Sequence, residues 1–238
     1  MLRLALFVTL FLSLPGVVWG SSVVRTGESV SIASDQSVEG DFYGAANDMA
    51  VSGEVSGDLL VAGASLTING KVGADLAAVA GNVDVHGVVG DDARIVAGEV
   101  TVAGEVLGDL VVVAGSLKVL STAKVTGDII FFGTDAEISG EVGKSVLGTS
   151  ESIRIDGVVG GDVDVKTAGL VLGERADVVG VVKYTSATEM VRAQNARVAG
   201  KVVKNDPLIT EVGGGLRELL VPVLITLFAA LVWFLFFR

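Results

Sequence analysis

From Gly53 to Gly104 the apolar positions fall mostly two residues apart, and the whole pattern restarts every 17 residues. In the first unit Val55, Leu59, Val61, Leu66 and Ile68 are apolar, and their neighbours include Glu54, Asp58, Ser65, Thr67 and Asn69. The equivalents recur as Val72, Leu76, Ala78, Val83 and Val85, then as Val89, Ala93, Ile95, Val100 and Val102. Alternation at period two turns one set inward and the other outward along a strand. Valine and isoleucine suit such a pleated, half-buried surface. A helix does not fit: each unit carries three glycines, and each would cost about 1 kcal/mol against alanine.

The glycines set the period. Lead glycines stand at Gly53, Gly70, Gly87 and Gly104, each 17 residues after the last, and a second lattice runs through Gly63, Gly81, Gly98 and Gly115. A constant period marks a repeat architecture, and two helices with their turns need about 33 residues. Seventeen residues fit one coil of an all-β, single-stranded β-solenoid, drawn as three short strands and three tight corners. The glycines mark corners, where the chain needs positive φ or a close approach of two backbones.

The rest of the chain frames this rod. Residues 1–20 read as an export signal: Arg3, an apolar stretch from Ala5 to Leu14, a break at Pro15-Gly16, and cleavage before Ser21. Residues 21–39 are polar and alternating, which predicts an imperfect first coil that caps the stack. The regular coils run over 40–205, with a stretch of about two extra residues at Leu120 to Thr126 and looser spacing from Gly180 to Gly200. Tyr184 to Arg192 is expected to bulge outward. Residues 206–218 form a linker holding three consecutive glycines, and residues 219–237 are uncharged. That is long enough for one transmembrane α-helix. The chain therefore reads as exported and single-pass, with the solenoid outside the cytoplasm.

Composition narrows the function. The chain has no cysteine, so disulfides and thiolate metal sites are excluded. A net charge of −11 argues against nucleic acid, which needs a basic face. The charge is uneven. Residues 28–165 hold 22 acidic and 6 basic side chains, whereas 166–217 hold 5 and 8. Arg192, Arg197, Lys201 and Lys204 then lie in the last coils, where they would face lipid headgroups.

Candidate chemistry is sparse. His86 is the single histidine and falls at an outward position without a second ligand. Asp91-Asp92 sits at a corner, where adjacent side chains diverge. Gly-Asp corners recur at Gly40-Asp41, Gly57-Asp58, Gly90-Asp91, Gly108-Asp109, Gly127-Asp128 and Gly161-Asp162, with Asp75 a near match. The column through Asp58, Asp75, Asp109 and Asp128 either bonds corner amides or attracts a weak structural cation. No catalytic, cofactor or dedicated metal residue is assigned. One outward row alternates in charge, setting Glu54 beside Lys71 and Lys124 beside Glu105 and Glu141.

The repeated GDxxxxAGxVxVxGxVxG unit, from about Gly40 to Gly160, resembles the bactofilins, or polymer-forming cytoskeletal proteins. The resemblance implies a right-handed parallel β-helix of triangular cross-section that assembles end to end into filaments without nucleotide. Bactofilins are typically cytoplasmic, so the export signal and anchor make this chain similar to membrane-tethered relatives. The function expected is a structural scaffold of the cell envelope, with stacking through apolar ends and an envelope protein or cell-wall partner. An adhesin or protein-binding module is the alternative. A hexapeptide-type acyltransferase is the enzymatic rival, but it would place an aliphatic residue at every sixth position.

Overall fold

The computed structural model describes residues 22–207, of which 22–206 belong to one unit. The expected signal peptide, the span 219–237 and nearly all of the linker lie outside the described residues. Among the described residues no helix is long and apolar enough to cross a membrane.

The described residues wind through eleven coils. The first opens on the strand Val23–Ile32, the second on Phe42–Val51, and the last on Val202–Asn205. Every pairing is parallel, and successive coils neighbour one another in a single order from first to last. Ten steps of about 4.8 Å give an axis of about 48 Å.

Each of the first nine coils holds two strands rather than three. A ten-residue strand is followed by a two-residue strand such as Glu54–Val55, and the two-residue strands build a second sheet of their own. The long strand nevertheless covers two faces. In Leu110–Val119 the inward residues are Leu110, Val112 and Ala114, then Leu117 and Val119, so Gly115 and Ser116 both point out. The alternation slips by one residue there, and the ladder passes from Ala114 to Ser116 without pairing Gly115. The strand thus turns a corner while its hydrogen bonds continue, which removes one of the expected breaks.

The other corner comes in two lengths. Where it has two residues, the coil is 17 residues long and the second corner residue is Gly53, Gly70, Gly87, Gly104, Gly140 or Gly157. Where it has four, a turn closes by a backbone hydrogen bond: Gln36 N–H to Ala33 O at 2.9 Å, Ala123 to Leu120 at 2.9 Å, Ala176 to Gly173 at 3.2 Å, and Ala196 to Ala193 at 3.2 Å. The stretched coil owes its two extra residues to this turn; the last spacing, Val182 to Val202, adds one further residue between Thr185 and Val191. In these coils the lead glycine is replaced by Gln36, Ala123, Ala176 or Ala196.

All fifteen expected inward residues from Val55 to Val102 are buried. Removing such side chains from water at about 25 cal/mol per Å2 is the main force holding coil to coil. Residue volume varies along the columns and is compensated locally. Phe131 is buried, and a Cβ on Gly133 would meet its ring while one on Gly148 would meet its backbone. Tyr184 is also inward and 2% exposed, contrary to the expected outward bulge. The ring fills the core of the tenth coil, and residues 186–190 interrupt the long strand instead.

Candidate functional site

The aspartates form a ladder on one corner. The Asp58 amide donates to Asp41 Oδ1 at 3.0 Å, Asp75 to Asp58 at 3.1 Å, Asp92 to Asp75 at 3.1 Å, and Asp109 to Asp92 at 2.7 Å. It continues from Asp128 to Asp109 at 2.8 Å and from Ser145 to Asp128 at 2.7 Å. Asp162 then donates to Ser145 Oγ at 3.1 Å, and Val181 to Asp162 Oδ1 at 2.7 Å. Each carboxylate therefore satisfies an amide of the following coil that the corner leaves unpaired. Between the two readings of this column, the geometry realises the amide-bonding one. In the fifth coil the rung is Asp92; Asp91, its expected place, is exposed, and its own amide bonds Ala74 O at 3.1 Å.

Carboxylate oxygens of Asp75, Asp91 and Asp92 come within 4.8 Å of one another. Arg94 already spans two of them, at 3.1 Å from Asp75 Oδ2 and 2.6 Å from Asp92 Oδ2. Sequence reasoning passed over Arg94, whose signal was a lone outward cation beside two corner aspartates. A second carboxylate pairing lies at Asp156, which accepts the Arg175 amide at 3.1 Å and the guanidinium at 2.8 and 3.0 Å. The Arg175 amide and guanidinium hold this carboxyl below the usual carboxylate range.

The lead glycines serve close approach, not unusual φ. A Cβ on Gly70 would meet the carbonyl oxygen of Gly53, one on Gly87 that of Gly70, and one on Gly104 that of Gly87. Gly53 would likewise meet Gln36 O. Among the described residues positive φ occurs at Gly40 (83°) and Gly148 (150°).

The expected surface pairs are partly formed. Lys71 reaches Glu54 at 2.9 Å and Lys124 reaches Glu141 at 3.5 Å, whereas Glu105 makes no ion pair among the described residues. His86 is exposed, as its outward position predicts.

The ends of the stack hold its least expected residues. One inward column runs Arg25, Gly44, Val61, Ala78, Ile95, Val112, Phe131, Gly148, Val165, Tyr184, Lys204. It begins and ends on a cation, not on an apolar side chain. Arg25 lies over the buried Phe42 ring, 5.8 Å from its centroid, and donates to Ser31 O at 3.3 Å. Lys204 contacts Glu189 at 3.0 Å and Asp206 at 3.7 Å, with its side chain only 25% exposed. The Tyr184 hydroxyl donates to Glu189 at 3.1 Å. Hydrogen bonds from Lys204 and then Tyr184 lower the Glu189 carboxyl, while Glu189 raises Lys204.

Of the four basic residues expected to face headgroups, Lys204 is thus already paired. Arg192 turns back on the Ala196 carbonyl at 2.8 and 3.2 Å, and Arg197 and Lys201 are exposed. No family profile, curated protein or solved structure matches the chain.

Proposed function

We propose that this chain is a non-enzymatic scaffold of the cell envelope, an exported right-handed β-helical rod tethered to the cytoplasmic membrane by a helix at 219–237. The supporting observation is the ladder from Asp41 to Val181, in which side chain after side chain is committed to joining one coil to the next. Chemical groups spent on coil-to-coil bonds make a spacer rather than a reaction centre. The resemblance to bactofilins supports the same class.

The resemblance also implies filaments. Extending the stack in register would enclose Arg25 and Lys204 in the core, and burying an ion costs several kcal/mol. The proposed working form is therefore a discrete rod, held by lipid at one end and open to an envelope protein or cell-wall partner along its sides.

The test is protease protection with an epitope tag at each end of the mature chain. Protease added outside the cytoplasmic membrane should remove the solenoid tag and spare a tag after Arg238. Protection of both tags, or release of the whole chain by a salt wash, would overturn the tethered reading.

A further inference from the structure

The three faces of the solenoid differ in what they show to solvent. Over the second to seventh coils one outward row reads Asp48, Ser65, Asn82, Glu99, Ser116, Asp135. On the adjoining face of the same coils the outward row reads Ala45, Ala62, Val79, Val96, Val113, Phe132. Ala45, Ala62, Val79 (37%) and Phe132 (41%) are exposed, and Val96 and Val113 are half-buried. Thr26 and Thr149 bound the row on either side. A continuous apolar ladder on a parallel sheet marks an interaction site rather than scattered surface residues.

The order of sizes selects the occupant. The row is small at one end and bulky at the other. Laid against its own reverse, it sets Ala45 against Phe132, Ala62 against Val113, and Val79 against Val96. We propose that this row is a contact between two copies of the chain, packed face to face with their axes antiparallel. Such a pair has two-fold symmetry, with one patch used twice. The parallel alternative would put Phe132 on Phe132 and Ala45 on Ala45, leaving a wedge. The flanking row meets itself the same way: Arg94 of one copy comes opposite Ala77 of the second. The short Ala77 leaves room for a guanidinium already held by Asp75 and Asp92.

The footprint sets the strength. Six coils at about 4.8 Å and a breadth of two outward residues give a patch of about 450 Å2 per copy. The total of about 900 Å2 falls below the roughly 1,200–2,000 Å2 of stable interfaces, which makes this a weak, reversible dimer. The proposal is argued from the solenoid alone; two chains anchored in one membrane form this antiparallel pair lying along its surface, not standing upright from it.

The chain has no cysteine of its own, so single introduced thiols report the geometry. Full-length chains carrying Ala45→Cys and Phe132→Cys, with different tags, are mixed in detergent and treated with a short bis-maleimide. The expected product joins the two tags. Ala45→Cys copies should not join each other, since their thiols lie about 24 Å apart in the pair. Adding Val96→Glu to both copies should lower the yield at least tenfold while the unfolding midpoint stays put. Joining of Ala45→Cys to itself, a yield indifferent to Val96→Glu, capture of a different protein, or no cross-linked pair at all would each overturn the proposal.

Discussion

Arg25 and Lys204 occupy the two ends of one inward column, nine residues of the same column lying between them. Every interior position of that column is glycine, alanine, a branched aliphatic or an aromatic ring. Both cations are thus stoppers, and they give the first prediction. Replacing them together, Arg25→Leu with Lys204→Leu, leaves apolar ends with unpaired strand edges. Electron microscopy of that variant should show end-to-end chains, and the natural chain under the same conditions should show single rods. Filaments of the natural chain joined through these ends would refute the stopper role.

Gly70→Ala should be among the most damaging single changes, because its Cβ meets the Gly53 carbonyl oxygen, a backbone atom that cannot move alone. A loss above about 4 kcal/mol is expected from a named clash of this kind. Gly169→Ala has nothing within 4 Å of the added carbon and should be neutral or stabilising by up to about 1 kcal/mol. Urea midpoints compare the two, and similar values would contradict the assignment of the corner.

Asp92→Ala deprives the Asp109 amide of its 2.7 Å acceptor and leaves Arg94 with Asp75 alone. Leaving a part-buried donor unsatisfied costs about 1–3 kcal/mol. Asp92→Asn keeps an acceptor oxygen and should recover most of the loss. Calcium should leave the melting temperature of the natural chain unchanged, since the Oδ1 atoms already accept amides. A rise of several degrees with millimolar calcium would show that the column prefers a cation.

Ser150 is 5% exposed and its Oγ has no hydrogen-bond partner among the described residues. Ser150→Ala removes a polar group buried without a partner, so the unfolding free energy should hold or rise, by up to about 1 kcal/mol. A drop beyond that would mean that the hydroxyl is satisfied in solution.

Acid should loosen the ninth coil in a defined window. Asp156 is held below its usual range by Arg175, so its contribution is complete above the unfolded value of about 4 and fades as pH falls through the lower folded value. Stability measured from pH 6 to pH 2 should decline less steeply in Asp156→Asn than in the natural chain. Parallel curves would exclude this pairing as a source of acid sensitivity.

The inward set of the regular coils was readable because alternation repeats in coil after coil, so each apolar position is confirmed by its neighbours 17 residues away. The same logic failed at the ends. Among the described residues a terminal coil has a neighbour on one side only, so an inward position there accepts Arg25 or Lys204; Lys204 was expected to face headgroups because of its charge. Tyr184 misled because the loosened glycine spacing announced an excursion without saying where it begins; it begins after Thr185, and Glu189 and the Met190 amide, at 3.1 and 3.3 Å, satisfy the inward Tyr184 hydroxyl. The rung at Asp92 was missed because Gly90-Asp91 copies the dipeptide found at other corners, while the bond depends on spacing to Asp75, not on the dipeptide. The two corner lengths were visible in the letters as the loss of the lead glycine. What the letters could not show is that a four-residue turn leaves room for the methyl group of Ala123.

The parallel ladders run along the axis, which gives the rod a mechanical direction. Tension applied lengthwise loads all the rungs between two coils at once, and each coil interface bears the full force in series with the next. A sideways pull on either end loads only the outermost strand and can peel it away rung by rung. A chain of this kind resists stretching much better than unwinding, and the coils most exposed to unwinding are the ones closed by Arg25 and Lys204.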